Sequence, residues 1–252
     1  FCSVPVYLGH PFRAMSAERV IELVHWHVRE FSIQELQILD DNFTVDHKRV
    51  IRIMEGIKDL GLRICFPNGI RADRPKNVEK RRIMFKAMGA AGVVSVTVTP
   101  EHGDQEFLNQ VVRKKMDLVD VETTIAVAHE NDMLVHAAFM MGFPFETSKL
   151  RARTAKFARS LTADSFSVSL VTPLPGTPLW KTVDDNNLFV TGFNVNRMAY
   201  SEVNIVPHDI SSDELLKTVT LLNAELNEQA QKTRPRANEK YKLIKGKNLG
   251  GD

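Results

Sequence analysis

Paired carboxylates follow an apolar run early in this 252-residue chain, at a position where side chains of a parallel sheet can carry out chemistry. Asp40 and Asp41 come directly after residues 36–39, Leu-Gln-Ile-Leu, which are predicted to form a short strand. Two adjacent carboxylates can bind a divalent metal ion, act as a base or hold ribose hydroxyls. They can equally satisfy free N–H groups at the start of a helix, together with Thr44 and Asp46. The residue types leave both interpretations open.

Two further groups follow apolar runs in the same way. Glu101 and His102 come after residues 93–98, where they can bind a ligand or form an ordinary polar strand end. Gly142 and Pro144 close one apolar run and precede a helical pattern. They permit a close backbone approach, and the N-terminus of the following helix can receive a carboxylate or phosphate. A tight turn between strand and helix is the alternative.

The cysteines and one histidine carry less information. Cys2 and Cys65 lie far apart and do not form a disulfide framework, so we expect a reducing compartment, the cytoplasm. Cys65 is expected to be a buried core thiol. Cys2 alone cannot hold a [4Fe–4S] cluster, which needs thiolates on most of its irons. His136 lies in a buried strand pattern, where a hydrogen-bonded core histidine is favoured over a metal ligand.

Composition points to a soluble globular protein. Hydrophobic residues make up 43% of the chain, charged residues 25%, and the net charge is +2. No run approaches the ~20 apolar residues that span a bilayer, and no signal peptide is visible. The chain begins with Phe1 rather than Met, which suggests a fragment of a longer protein. The basic residues 232–252 are expected to be a disordered tail, with a nucleic-acid contact as the less favoured alternative.

Helical patterns alternate with short apolar runs. Strands are predicted at residues 36–39, 62–66, 93–98, 134–141 and 165–171, and helices at 16–31, 46–60, 77–91, 105–115, 118–130 and 147–161. The spacing of about thirty residues is typical of right-handed βαβ units and a parallel sheet. The strands read as apolar runs that are covered on both faces. Their polar exits gather at one edge, where ligands bind in such folds.

A repeat that opens on a loop and a helix lacks its first strand. We therefore expect a sixth strand upstream of Phe1, with Cys2 on the loop that leaves it. The fold class is α/β, a partial (β/α)6 parallel TIM-like barrel lacking its first strand, with a C-terminal helical extension. Residues 1–180 form the barrel portion, and residues 181–231 form the extension, which includes a helix that Ser212 caps.

With these motifs in place, the chain resembles the radical S-adenosylmethionine (SAM) superfamily. The similarity is greatest to the branch of cyclase- and methyltransferase-like members that often carry an N-terminal cobalamin-binding domain. Phe1-Cys2-Ser3 resembles the end of the family's C-x-x-x-C-x-x-C cluster loop. The five strand exits resemble the family's later motifs in order: residues 39–43, 68–73, 101–103, 139–147 and 173–179. Two residues depart from the pattern, because His102 replaces a serine and Phe145 replaces a glycine.

The resemblance implies cofactors and site residues. Cys2 would be the third thiolate of a [4Fe–4S] cluster whose fourth iron chelates SAM. One electron would cleave SAM, and the 5′-deoxyadenosyl radical would abstract hydrogen from a small-molecule substrate. Asp41 and Arg71 would line the cavity, and Glu101 would hold the methionyl or ribose part. Gly142 and Pro144 would pack against the adenine.

The resemblance also implies partners. These are an electron donor such as flavodoxin or ferredoxin, and a cobalamin domain upstream of this chain. No membrane span and no nucleic-acid partner are expected. This chain alone is expected to be inactive, because two cluster cysteines are missing from it. Two other functions stay open: a barrel enzyme that binds a divalent metal through Asp41, Glu101 and His136, and a non-catalytic fragment.

Overall fold

The computed structural model describes residues 1–9 and 12–234, so the predicted basic tail lies outside the described residues from position 235 onward. The helices are α1 (Val4–Tyr7), α2 (Ala17–Phe31), α3 (His47–Ile57), α4 (Val78–Ala90), α5 (Gln105–Phe107), α6 (Leu118–Glu130), α7 (Ser148–Ser160), α8 (Pro178–Asp185) and α9 (Ser212–Thr233). The strands are β1 (Glu35–Gln37), β2 (Arg63–Ile70), β3 (Val93–Glu101), β4 (Leu134–Met141) and β5 (Ser165–Leu170). No helix among them is long and apolar enough to cross a membrane.

The five strands form one parallel sheet in the order β1-β2-β3-β4-β5. Each strand from β2 to β5 pairs with the strand that precedes it in the chain, and at least one helix connects each pair. The predicted strands and their parallel pairing are therefore confirmed. The carboxyl ends of all five strands lie at one edge, so the loops that follow them are neighbours in space.

Local capping residues explain where the helices begin. Ser16 accepts a hydrogen bond from the Arg19 N–H, and Asn77 and Thr147 cap α4 and α7 in the same way. The predicted cap of α9 was wrong by one residue. Ser211, not Ser212, accepts from the Glu214 N–H, and the Glu214 side chain accepts from the Ser211 N–H to complete a capping box.

The two faces of the sheet differ in polarity, which corrects the prediction that both are apolar. One face is buried against the helices through alternate strand residues such as Val135, Ala137 and Phe139. The other face is half-buried and rich in hydroxyl groups, because the intervening positions of β3 and β5 are mostly serine and threonine. This polar face, defined by Ser95, Thr97, Thr99, His136, Ser165, Ser167 and Ser169, corresponds to the interior of a closed barrel.

The edge of the sheet at β5 is covered by α9. Asn223 accepts a hydrogen bond from the Val168 N–H and donates to the Val168 carbonyl, each at 2.7 Å. Asn227 makes the same two contacts with Phe166 at 3.0 Å. The two asparagines are four residues apart on α9, and the β5 residues that they bind are two apart. Their side-chain amides thus make the backbone hydrogen bonds that a neighbouring strand would otherwise make.

The edge at β1 has a different environment. A groove with a volume of about 560 Å³ lies between β1, α2 and α3. Most of its lining residues are apolar, among them Val24, Leu36 and Ile53, and Arg13 and Arg49 also line it. One edge of the sheet is therefore covered by side-chain amides, whereas the other borders an apolar groove.

Candidate cofactor site

The segment that carries Cys2 lies over the loops that leave β4 and β5. The Phe1 ring meets the Phe143 ring edge to face at 6.2 Å between centroids. Gly176, in the loop after β5, lies so close to α1 that an added Cβ would be 3.1 Å from Val6 Cγ1. The Cys2 thiol, which follows Phe1, is exposed at this edge of the sheet. The structure therefore brings the predicted cluster residue to the same edge as the strand exits.

Glu101 ends β3 in a left-handed conformation, with φ of +67°. Its side chain is largely buried, and Oε1 accepts a hydrogen bond from Lys114 Nζ at 2.6 Å. Lys114 also donates to Thr99 Oγ1 at 2.6 Å. A non-glycine residue in this backbone region is strained and is commonly found at functional sites. Lys114 was not among the predicted site residues, because the basic residues 113–115 fell at the end of a predicted helix.

Arg71 does not project freely into the cavity. It forms two hydrogen bonds with Asp73 at 2.8 and 3.1 Å and donates to the Lys114 carbonyl at 3.1 Å. Burial alone would raise the pKa of Asp73, but hydrogen bonds and charges from Arg71 and Lys76 outweigh it and hold that pKa below its usual value. Arg71 therefore fixes the turn from which Lys114 reaches Glu101.

The turn after β4 is organised by Glu146, which was not among the predicted site residues. Gly142 has a φ of +88°, and its N–H donates to Glu146 Oε2 at 2.6 Å. Glu146 Oε1 contacts His102 Nε2 at 3.1 Å, and both of these side chains are completely buried. Pro144 is buried as well. A helix-start glutamate in the sequence gave no signal that it would bond to a histidine 44 positions away.

Phe145 keeps the backbone conformation that a glycine would adopt. Its φ is +63°, and the side chain is 52% exposed. The backbone at this position thus stays left-handed although phenylalanine stands where the resembled motif has glycine. The ring projects away from the buried turn. A left-handed backbone is sterically less favourable for phenylalanine than for glycine, which has no Cβ.

Asp40 and Asp41 are exposed at the end of β1, two strands away from Glu101. Asp46 caps the start of α3 instead, because its side chain accepts hydrogen bonds from the N–H groups of Lys48 and Arg49. Nearby, Asn42 Oδ1 and Thr44 Oγ1 are buried and have no hydrogen-bond partner within the described residues. The paired acids therefore do not form the N-terminal box that their sequence allowed.

The structure does not bring Asp41, Glu101 and His136 together as a metal site. In residues 1–9 and 12–234, no group of three or more His, Cys, Asp or Glu side chains can hold a metal ion. His136 lies on the polar face, where Nδ1 and Nε2 are hydrogen-bonded to the Ser165 and Ser167 hydroxyls at 2.8 and 2.9 Å. Burial lowers its pKa and favours the neutral ring.

Cys65 is half-buried and takes a position on the polar face, so the expectation of a core thiol was wrong. Burial raises the pKa of this thiol, which favours the protonated form. Cys65 lies within β2, next to Ile64, whereas Cys2 lies at the carboxyl edge of the sheet. The described chain thus supplies one thiol at that edge, which suits one ligand of a cluster and is insufficient for a whole cluster.

Comparison with protein families identifies one match. A model of the radical SAM superfamily matches residues 1–158. The chain is 33% identical over 197 residues to an uncharacterized methyltransferase of Pyrococcus horikoshii, covering 76% of this chain and 40% of the relative. It is 24% identical over 234 residues to the cytidylyl-2-hydroxyethylphosphonate methyltransferase of Streptomyces wedmorensis, covering 90% and 43%. The chain spans less than half the length of these curated relatives.

Among solved structures, the fold is similar to the radical S-adenosylmethionine methyltransferase TsrM from Kitasatospora setae, which has cobalamin and a [4Fe–4S] cluster bound. The TM-score is 0.58 at 18% identity, and the match covers 68% of this chain and 34% of that one. At this identity the likeness concerns the fold. It confirms the predicted α/β architecture of a partial parallel barrel.

Proposed function

The chain belongs to the radical SAM superfamily, and we propose that it forms the barrel portion of an enzyme that reductively cleaves SAM at a [4Fe–4S] cluster. The radical chemistry that follows is methyl transfer or cyclisation on a small-molecule substrate. One observation carries the proposal: the Cys2 segment, the Glu101 loop and the Gly142 turn meet at the carboxyl edge of a parallel sheet, linked through Phe1 and Phe143.

Each candidate residue has a distinct proposed role. Cys2 contributes one of three cluster thiolates. Glu101 holds the methionyl or ribose part of SAM, after exchanging its contact with Lys114 for one with the cofactor. Gly142 and Pro144 pack against the adenine, which the absence of a Cβ at Gly142 permits. When bound, the cluster supplies the electron that breaks the carbon–sulfur bond of SAM, and the chain orients the reactants.

The roles of Asp41 and Arg71 differ from each other. Asp41 is exposed at the end of β1, and we propose that it lines the mouth of the cavity. Arg71 acts indirectly, because its guanidinium group is hydrogen-bonded to Asp73 and to the Lys114 carbonyl. We propose that Arg71 holds Lys114 beside Glu101. The polar face of the sheet would then contact the substrate, and its hydroxyl groups favour a substrate with hydrogen-bonding groups.

The remaining parts of the enzyme are proposed from the same family membership. The other two cluster thiolates come from outside this chain, so the chain alone is inactive. An upstream domain binds cobalamin, a flavodoxin or ferredoxin supplies electrons, and the protein acts in the cytoplasm. The groove beside β1 holds the sixth strand, because it combines a mainly apolar lining with the backbone edge of β1.

The function is tested in the full-length protein after anaerobic reconstitution with iron and sulfide. We expect the broad visible absorption of a [4Fe–4S] cluster, and formation of 5′-deoxyadenosine from SAM when the cluster is reduced. Cys2→Ala should abolish both, whereas Cys65→Ala, on the polar face, should keep the cluster. An intact cluster in Cys2→Ala contradicts the proposal. A well-folded protein that binds neither cluster nor SAM supports the non-catalytic alternative.

A further inference from the structure

We propose that His102 is a positioning residue that sets the affinity for SAM by holding the Gly142 amide through Glu146. The link to SAM rests on the function proposed above, whereas the link to the Gly142 amide rests on the geometry alone. His102 touches neither Cys2 nor the exposed mouth of the site, since its side chain is completely buried. It acts through Glu146 and Gly142, which follow it in the chain of hydrogen bonds.

The hydrogen bonds fix the protonation of the His102 ring. The Asp104 N–H donates to Nδ1 at 3.0 Å, so Nδ1 must accept and cannot carry a proton. The ring proton therefore lies on Nε2, from which it is donated to Glu146 Oε1 at 3.1 Å. The ring is neutral and is held in a single orientation.

Glu146 needs this donor. Its carboxylate is completely buried, and a buried charge is tolerated only when its oxygens are hydrogen-bonded. Oε2 accepts from the Gly142 N–H at 2.6 Å, and Oε1 accepts from His102. Without His102, Oε1 would lack this donor, and the carboxylate would be free to rotate away from Gly142. The position of the Gly142 amide therefore depends on the histidine.

The same bridge joins two cofactor loops. His102 directly follows Glu101 in the loop after β3, and Glu146 closes the turn after β4. The His102 ring also packs on Phe107, with 4.3 Å between centroids, and lies edge to face with Phe143 at 6.3 Å. Phe143 in turn contacts Phe1, the neighbour of Cys2. One side chain thus sets the relation between the residues proposed to hold ribose, adenine and cluster.

Two variants separate the hydrogen bond from the packing. In His102→Gln, the terminal amide reaches the position of Nε2 and can still donate to Glu146. In His102→Asn, the amide ends near the position of Nδ1, where it can accept from the Asp104 N–H but cannot reach Glu146. Both variants are made in the full-length protein, and thermal unfolding identifies those that fold. Glu146→Gln, which keeps the shape of the side chain, serves as an independent variant.

The readouts are hydrogen exchange of the Gly142 amide and the dissociation constant for SAM. We expect His102→Asn to speed exchange and to weaken SAM binding by about tenfold each, with His102→Gln near wild type. Glu146→Gln leaves a single acceptor oxygen for the two donors His102 and Gly142, so it should also speed exchange, even if His102→Asn does not fold. The proposal is overturned if exchange at Gly142 stays at the wild-type rate in a folded His102→Asn or Glu146→Gln variant, or if both His102 variants weaken binding equally. If the wild type binds no SAM, the proposed function fails, and the exchange rates still decide whether His102 holds Gly142.

Discussion

Asn223 pairs with Val168 as a neighbouring strand would, through one accepted and one donated hydrogen bond of 2.7 Å each. An exposed strand edge pairs readily with other chains, and proteins cover such edges to avoid aggregation. Here an amide side chain on α9 supplies the cover. The C-terminal extension therefore satisfies backbone hydrogen bonds at this edge of the sheet.

We expect Asn223→Ala to lower the free energy of unfolding by about 2 kcal/mol, because both backbone groups of Val168 lose their partners. Leu221→Ala, on the same helix but 59% exposed, should change it little. Urea unfolding monitored by circular dichroism measures both variants. Equal effects of the two substitutions would mean that the amide contacts do not stabilise the edge.

The left-handed backbone of Phe145 predicts a stabilising substitution. Phe145→Gly removes a steric cost of about 1 kcal/mol at a φ of +63°. Phe145→Ala keeps that cost and loses only a half-exposed ring, so it should be the less stable of the two by about 1 kcal/mol. Thermal unfolding of both variants provides the comparison. If alanine is at least as stable as glycine, the backbone at this position is not strained.

Arg71 and Arg74 both lie near the buried Asp73 and form a matched pair. Arg71 makes two short hydrogen bonds with the carboxylate, whereas Arg74 is exposed and 3.8 Å away. Arg71→Lys should destabilise the fold by about 2 kcal/mol, since lysine cannot bind Asp73 through two nitrogens and also reach the Lys114 carbonyl. Arg74→Lys should be neutral. If Arg71→Lys weakens SAM binding and leaves stability unchanged, Arg71 lines the cavity directly.

Asp209 predicts a pH dependence of stability. Hydrogen bonds from the Ser148 N–H and from Arg151 lower the pKa of Asp209 from 3.8 to about 2. Because the folded-state pKa is depressed, this contribution is present above pH 3.8 and is lost as the pH falls toward 2. In Asp209→Asn, we expect a smaller loss of stability across that window. Denaturant unfolding at several pH values tests it, and an unchanged pH slope would argue against the role of Asp209.

The groove beside β1 predicts a difference between this chain and the full-length protein. Leu36 lines the groove and is only half-buried here, so Leu36→Lys should cost little in the isolated chain. If a sixth strand fills the groove, the same substitution should cost about 2 kcal/mol or more in the full-length protein. Val119→Lys, at a site 65% exposed on α6, is the control and should be neutral in both. Equal costs of Leu36→Lys in both proteins would leave no place for a strand in the groove.

The sequence predicted most elements because their signals are local. β4 and α6 have the predicted bounds, and Ser16, Asn77 and Thr147 cap the helices whose starts they mark. The five strand exits were correctly assigned to one edge, since parallel pairing follows from the strand–helix repeat. The alternation of serine with apolar residues in β5 was visible as well, and it contradicted the interpretation of that strand as uniformly apolar.

Contacts between loops could not be predicted in the same way. His102 and Glu146 are far apart in sequence, and nothing in either local pattern indicates that two buried polar side chains meet. Lys114 contacts Glu101 from the turn where a π-helical segment (Leu108–Val112) ends at Arg113 in a left-handed conformation, although a longer helix was expected there. The spacing of Asn223 and Asn227 places both on one face of a helix, but it does not indicate that this face binds the edge of a strand.

The order of the strands has a consequence for how the protein is made. Each strand from β2 to β5 pairs with the one synthesised just before it, so each of these strands meets a partner that is already present when it leaves the ribosome. The last described helix, α9, carries the amides that cover the last strand. Until that helix has left the ribosome, the backbone groups of Phe166 and Val168 lack these partners, so the β5 edge is open during synthesis.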